Sequence, residues 1–170
     1  MNRTTNELLY RHSYVDELLA MIRRYIRNVS DHAATEQFLE LIADYHENDI
    51  ADALQQLSAD ERRLLYPVLG VRRLAEIIPY MDHAGTFLGE LDLQTTADVL
   101  SEMDSDDAVD VLETVNPALR SRLAGLLDTD ARDDLRMLLS YAEDEIGSKM
   151  TTNYVVIDRH LTIRQAMHEL

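Results

Sequence analysis

The stretch that decides the fold is Thr96-Ala-Asp-Val-Leu-Ser-Glu-Met-Asp-Ser-Asp-Asp-Ala-Val-Asp-Val-Leu-Glu-Thr-Val115. It contains one pattern twice: a small apolar residue, then an acid, then two apolar residues, with Asp98 and Asp110 as the acids. Apolar residues at this spacing share one face of an α-helix. The aspartates and the serine between the two copies are residues that begin helices. The stretch therefore predicts two short amphipathic helices in succession.

Degenerate copies of the pattern occur upstream, in Asp49-Ile-Ala-Asp-Ala-Leu-Gln-Gln-Leu57 and Leu74-Ala-Glu-Ile-Ile-Pro-Tyr-Met81. The acids of these copies are Asp52 and Glu76. From Asp52 to Glu76 and from Glu76 to Asp98 the acid recurs at the length of a helix pair, and from Asp98 to Asp110 it recurs at the length of one helix. A short helix cannot bury its apolar face alone and must stack on its neighbours. We therefore predict an all-α fold, a right- or left-wound superhelix (solenoid) of short helices.

The composition supports a helical fold, because glycine and proline are scarce (5 and 3 of 170 residues) while 46% of the chain is apolar. Changes in pattern divide the chain into four segments. They are an N-terminal amphipathic helix at 1–30, a helical repeat domain at 31–142, a polar connector at 143–153 and a C-terminal piece at 154–170.

The C-terminal piece differs in character from the repeats. Asn153-Tyr-Val-Val-Ile157 predicts a β-strand, and Leu161–Leu170 predicts the start of a helix with Thr162 as its cap. One strand and one helix do not make a domain. We therefore expect the sequence to stop inside its second domain.

The charge of the chain is strongly acidic. It carries 32 acids against 16 bases, a formal net charge of −16, and no lysine or arginine falls between Leu74 and Leu119. Nucleic acid and anionic membrane surfaces need a basic face, so the composition excludes them as partners. A surface with so little compensating charge repels itself, which favours a divalent cation or a basic protein as its partner.

Several function classes lack the residues that they need. The chain has no cysteine, no HExxH motif, no glycine-rich phosphate loop and no nucleophile triad, so we predict that it is not an enzyme. No apolar run reaches the roughly 20 residues of a membrane span, and the N-terminus has no apolar signal core. The chain is therefore expected to be soluble and cytoplasmic, and not to insert into a membrane.

The acids after Met103 are the strongest candidate site. Asp104 suits a helix cap, and Asp106 and Asp107 suit the first turn, where the helix dipole favours carboxylates. Asp110 lies four residues after Asp106 on the same face, where like charges are unfavourable. Carboxylate oxygens paired in this way suit Mg²⁺ or Ca²⁺, although such pairs also occur on solvated helices.

Five segments resemble the cytosolic part of the MgtE family of magnesium channels, over roughly residues 35–170. In that family an N-terminal superhelical domain precedes a pair of CBS motifs, a connecting helix and a transmembrane pore. The last two of the five segments resemble the opening strand and helix of a first CBS motif. The segments are His46-Glu-Asn-Asp-Ile-Ala-Asp52, Asp104-Ser-Asp-Asp-Ala-Val-Asp110, Ser140-Tyr-Ala-Glu-Asp-Glu-Ile-Gly147, Met150-Thr-Thr-Asn-Tyr-Val-Val-Ile157 and Leu161-Thr-Ile-Arg-Gln-Ala-Met-His-Glu-Leu170.

The resemblance implies a function and a ligand set. Mg²⁺ would bridge the N domain and the CBS domains and favour the closed pore, bound by Glu76, Asp106, Asp110 and a backbone oxygen near Ser148. The chain departs from the family's Ala-Gly-Gly-Leu-Met with Ile146-Gly-Ser-Lys-Met150, which places the cation of Lys149 beside that oxygen. The implied partners are the CBS and transmembrane domains of the full-length parent, as a homodimer.

An alternative function belongs to a different class. Flagellar motor-switch proteins of the FliG kind use related short-helix repeats to hold other proteins. On that interpretation the chain is an interaction module without metal binding, and a basic partner covers its acidic face. The CBS-like tail favours the magnesium-channel interpretation.

Overall fold

The structure is a computed structural model that describes residues 3–138, 157 and 159–169. Within these ranges the chain forms helices and turns but no strand, which confirms the predicted all-α class. Ser148, the connector 143–153 and all of the predicted strand except Ile157 lie outside the described residues. The helices are α1 (Arg3–Ile26), α2 (His32–Ile42), α3 (Glu47–Gln55), α4 (Ala59–Ile77), a 3₁₀ turn (Ile78–Tyr80), α5 (Ala84–Leu88), α6 (Leu93–Glu102), α7 (Ser105–Thr114), α8 (Pro117–Leu123), α9 (Thr129–Leu138) and α10 (Ile163–Glu169).

Side-chain caps begin several of the helices. Ser58 and Glu61 form a capping box at α4, in which each side chain accepts a hydrogen bond from the other's backbone N–H. The Asp92 side chain accepts from the N–H groups of Gln94 and Thr95 at the start of α6. Such caps satisfy backbone donors that have no partner inside the helix.

The repeated sequence pattern has a structural counterpart. The small residue before each acid is buried, with 0 to 7% of its surface exposed, and the two residues after the acid are also buried. The acids themselves project outward or lie at the edge of the core. In all four copies, the pattern therefore marks the buried face of a helix. The buried small residues are Ala51, Ala75, Ala97 and Val109.

The helices pack in succession along the chain. Helix α1 packs on α3, α4 on α6, and α7 on α9, as expected of stacked short helices. One continuous apolar core runs from Val15 in α1 to Leu138 in α9, so the N-terminal helix shares the core of the repeats. The superhelical (solenoid) arrangement and the direction in which it winds stay predictions.

Helix α4 is two helical segments joined at Gly70. Gly70 has φ 74° and ψ 167°, a backbone conformation that residues with a Cβ rarely adopt. The first helical segment therefore ends at Gly70. The second segment carries Glu76, so the kink at Gly70 sets the direction in which this acid points.

The predicted C-terminal helix is present as α10. The Thr162 and Gln165 side chains cap its first turn, because the Gln165 N–H donates to Thr162 Oγ1 at 3.4 Å and the Thr162 N–H donates to Gln165 Oε1 at 3.0 Å. Ile163 and Met167 are 85% and 68% exposed. They lie four residues apart, so α10 presents an uncovered apolar stripe.

Candidate metal-binding surface

Acids from four helices gather around one cleft. Its volume is about 430 Å³, and we call it the acidic cleft. Because the acids come from different helices and turns, the cleft depends on how the repeats pack rather than on one local motif. The residues that line it are Glu47, Arg72, Ala75, Glu76, Tyr80, Glu102, Met103, Asp104 and Asp107.

Glu76 is the predicted ligand that the structure places in the acidic cleft. Its side chain is 47% exposed, and Arg72 Nε lies 3.8 Å from its Oε1 one helical turn earlier. An exposed pair at this distance contributes little to stability, so Arg72 can move away when a stronger cation arrives. Glu76 is therefore available to an incoming cation.

Asp106 and Asp110 lie on α7 but do not line the acidic cleft. Asp106 is half-buried, and its Oδ1 is buried without a hydrogen-bond partner in the part of the chain that the structure describes. Asp110 is exposed. The structure thus brings Glu76 together with Asp104 and Asp107 rather than with the other two predicted ligands. The predicted set, which also includes Ser148, stays a prediction.

The first turn of α7 concentrates negative charge. Burial raises the pKa of Asp107, and the neighbouring carboxylates of Asp106, Asp104 and Asp110 raise it further. The ionised form of Asp107 is therefore less favourable than that of an ordinary aspartate. A nearby cation reverses this effect, because it stabilises all of these carboxylates in their charged forms.

A second acidic cleft adjoins the first across Glu102. It has a volume of about 270 Å³, and Asp128, Asp130 and Asp134 bring further carboxylates to it from the α9 region. Ser101 Oγ accepts from the Asp128 N–H at 3.3 Å, which holds the two sides of this cleft together. Across both clefts, no three acidic or histidine side chains of the described residues lie close enough to hold a metal by themselves.

Four acids of the acidic cleft are absent from the ligands that the sequence predicts: Glu47, Glu102, Asp104 and Asp107. From the sequence, Asp107 was assigned only to the first turn of the helix, where the helix dipole favours carboxylates, although its spacing of three residues from both Asp104 and Asp110 is also a same-face spacing. Glu47 belongs to α3, far along the chain from α7, and only the packing of the repeats brings it there. The omission of Asp107 therefore had a signal in the sequence, whereas the omission of Glu47 had none.

The sequence of the chain is similar to those of known magnesium transporters. Residues 45–144 match the family model of the MgtE intracellular N domain. The chain is 27% identical over 141 residues to the magnesium transporter MgtE of Thermus thermophilus, covering 80% of this chain and 31% of the relative. It is 21% identical over 159 residues to the magnesium transporter MgtE of Bacillus subtilis, covering 85% and 35%. The chain therefore spans about a third of the length of these curated relatives.

Two solved structures share the fold. The crystal structure of the soluble part of a magnesium transporter superposes with a TM-score of 0.81 at 26% identity, covering 91% of this chain and 60% of that chain. The crystal structure of the cytosolic domain of the Mg²⁺ channel MgtE in complex with ATP gives 0.71 at 24% identity, covering 89% and 64%. At that identity, the second likeness shows the fold alone.

Among the described residues, no helix combines the length and the apolar character that crossing a membrane requires. The family model covers more than half of the chain, from the end of the second helix through the repeats. The chain therefore belongs to the family of MgtE intracellular N domains, which agrees with the resemblance and the cytoplasmic location that the sequence predicts.

Proposed function

We propose that this chain is the Mg²⁺-sensing regulatory domain of an MgtE-type magnesium channel, and that Mg²⁺ bound at its acidic helices favours the closed pore. The observation that carries the proposal is the crowding of carboxylates at the start of α7, beside the acidic cleft that contains Glu76. Burial raises the pKa of Asp107, and repulsion from the neighbouring carboxylates of Asp106, Asp104 and Asp110 raises it further. A divalent cation removes that repulsion and stabilises the arrangement that it binds.

The proposed ligands are Asp106, Asp110 and Glu76, together with a backbone oxygen near Ser148. The Oδ1 of Asp106 has no hydrogen-bond partner in the described part of the chain, and it fits a hard cation because a buried oxygen without a donor gains most from one. Asp107 acts in this scheme by adding negative charge beside the ion. With few protein carboxylates, Mg²⁺ keeps most of its water, so the affinity is weak and in the millimolar range.

Weak binding suits a sensor, because occupancy then changes with the free Mg²⁺ concentration inside the cell. The remaining ligands belong to a CBS domain of the same parent, and the bound ion draws the two acidic domains together. When Mg²⁺ is scarce, repulsion between the acids separates the domains and releases the pore. The domain works by this electrostatic switch within a homodimeric channel and carries no catalytic step.

A titration of the chain with Mg²⁺, followed by amide chemical shifts, tests the site. We expect saturable shifts centred on Asp106 to Asp110 and a smaller change at Glu76. The variants Asp106→Asn and Asp110→Asn should each weaken the response, while the exposed Asp60→Asn serves as a matched control outside α7. Shifts elsewhere with none at Asp106 to Asp110 would contradict the ligand assignment.

A chimeric channel tests the regulation. Residues 45–144 of this chain would replace the matching segment of the Thermus thermophilus magnesium transporter MgtE. We expect Mg²⁺ flux into vesicles to fall as Mg²⁺ on the cytoplasmic side rises, and the double variant Asp106→Asn/Asp110→Asn to lose that fall. Flux that ignores Mg²⁺ in the unaltered chimera would instead favour the alternative, an interaction module without metal binding.

A further inference from the structure

An apolar groove lies between α7, α8 and α9, separate from the acidic cleft. Its volume is about 290 Å³, and we call it the arginine groove. Its floor consists of buried aliphatic side chains, and its rim carries three guanidinium groups. The floor residues are Val109, Leu112, Leu127 and Leu135, and the rim residues used below are Arg120, Ser121, Arg132 and Arg136.

The charge of this groove is opposite to that of the protein. The chain has a formal net charge of −16, yet among the described residues three arginines and one acid, Glu113, line the groove, and one of these arginines, Arg136, is paired with Asp133. In both clefts of the candidate metal-binding surface, acids outnumber bases. A local excess of positive charge over an apolar floor selects an occupant that is both apolar and anionic.

Two of the arginines are held in place by backbone carbonyls. Arg120 Nη2 donates to the carbonyl oxygens of Glu113 at 3.1 Å and Val115 at 3.2 Å, and Arg132 Nη2 donates to that of Leu127 at 2.7 Å. The Nε atoms of both are buried without a hydrogen-bond partner among the described residues. A guanidinium has five N–H donors, so each retains donors for a further acceptor.

We propose that the arginine groove docks an acidic amphipathic helix of a partner protein. Leucine-type side chains of that helix fill the apolar floor, and its carboxylates bind the guanidinium groups of Arg120 and Arg132. The groove, at about 290 Å³, lies just below the roughly 300–1,000 Å³ typical of small-molecule pockets, so it suits a few side chains better than a whole ligand. Apolar anchors in a groove with flanking charges describe helix-in-groove recognition, and arginines are frequent hot spots of interfaces.

This docking is independent of the proposed Mg²⁺ site. Helix α7 contributes to both, but the groove takes Val109, Leu112 and Glu113, whereas none of Glu76, Asp106 and Asp110 lines it. Binding of the acidic helix should therefore occur in EDTA as well as in Mg²⁺. A failure of either proposal leaves the other standing.

Fluorescence anisotropy with a labelled peptide tests the proposal on the full chain. The probe is a helical peptide of about 15 residues made of leucine, alanine and glutamate, with leucines at helical spacing. One control peptide has the same composition with the leucine stripe scrambled, and another has glutamine in place of glutamate. We expect the probe to bind in EDTA and both controls to bind more weakly. Equal binding of any control, or no binding of the probe, would overturn the proposal.

Variants locate the binding on the surface. Arg120→Gln and Arg132→Gln should each weaken probe binding by roughly tenfold, because each removes a charge-assisted contact. Arg122→Gln is the matched control, since Arg122 is an exposed arginine of α8 that does not line the groove. Ser121→Glu should also abolish binding while leaving the backbone contacts of both arginines intact. Circular dichroism melting verifies that each variant is folded, and equal weakening by Arg122→Gln would refute the assigned surface.

Discussion

Arg62 and Glu90 form a buried ion pair with two contacts, although 28 residues separate them in the chain. Arg62 Nε donates to Glu90 Oε2 at 2.9 Å, and Arg62 Nη2 donates to Oε1. Arg62 Nη1 also donates to the carbonyl oxygens of Leu54 and Leu57, and the Tyr66 hydroxyl donates to Glu90 Oε2 at 2.7 Å. The pair therefore joins the end of α3, the start of α4 and the segment that leads to α6.

Breaking this pair from one side should be costly. The two side chains are only 10% and 9% exposed, so Glu90→Gln leaves the guanidinium of Arg62 buried without a counter-charge. We expect a loss of about 3 kcal/mol in the free energy of unfolding, measured by urea denaturation. The double variant Arg62→Met/Glu90→Met removes both charges and should recover part of that loss. A double variant less stable than Glu90→Gln would contradict this explanation.

The same pair predicts an acid-sensitive component of stability. Burial alone would raise the pKa of Glu90, but the hydrogen bonds from Arg62 and Tyr66 outweigh it and hold the pKa below the ordinary value of 4.5. A carboxyl with a lowered pKa in the folded state stabilises the fold above its unfolded pKa. That contribution is present above about pH 4.5 and is lost as the pH falls through the folded-state value. Urea denaturation across this range should show a shallower pH dependence in Glu90→Gln.

Close packing of α5 against the end of α7 predicts a difference between two glycines. A Cβ at Gly85 would lie 2.7 Å from the carbonyl oxygen of Thr114, whereas a Cβ at Gly125 would meet nothing nearer than 3.6 Å. Gly85→Ala must shift the backbone, and we expect it to destabilise the fold by roughly 2 kcal/mol. Gly125→Ala, the matched control, should be neutral or stabilise the fold by about 0.5 kcal/mol. Thermal melting distinguishes the two, and similar melting temperatures would argue against this packing.

The sequence predicted the helical class because the repeated pattern of small residue, acid and apolar pair determines which helix face is buried. It predicted the α10 cap at Thr162 because capping depends on residues a few positions apart. It could not predict the partnership of Arg62 with Glu90, since any acid on a neighbouring helix was equally available. The acidic cleft was missed for a related reason, because the orientation of Glu76 depends on the kink at Gly70 and on packing between repeats.

Crowded charge at the start of α7 predicts a stabilising substitution. When folding raises the pKa of an aspartate, its ionised form destabilises the fold at pH values above the folded-state pKa. This penalty is absent below the unfolded-state pKa of 3.8, where the carboxyl is protonated in both states. At neutral pH and low salt, Asp107→Asn should therefore increase the free energy of unfolding by roughly 0.3 kcal/mol and raise the melting temperature accordingly. The gain should shrink on acidification. In high salt only the part that comes from repulsion by neighbouring carboxylates should shrink, because salt screens that repulsion but not the cost of burial. Asp133→Asn, at an exposed acid paired with Arg136, is the control and should show no such gain.

Mg²⁺ itself should stabilise the fold if the proposed site is correct. At ten times its dissociation constant, a ligand that binds only the folded state adds about 1.4 kcal/mol, or roughly 3–6 °C in the melting temperature of a domain of this size. Asp106→Asn and Asp110→Asn should each reduce that shift, because each removes a proposed ligand oxygen. Asp107→Asn should reduce it less, because it removes nearby charge and no ligand. The comparison must be made at constant ionic strength, with Na⁺ replacing Mg²⁺ in the control. A shift that Na⁺ reproduces in full would mean that general screening relieves the repulsion in α7, and a bound ion would then be unnecessary.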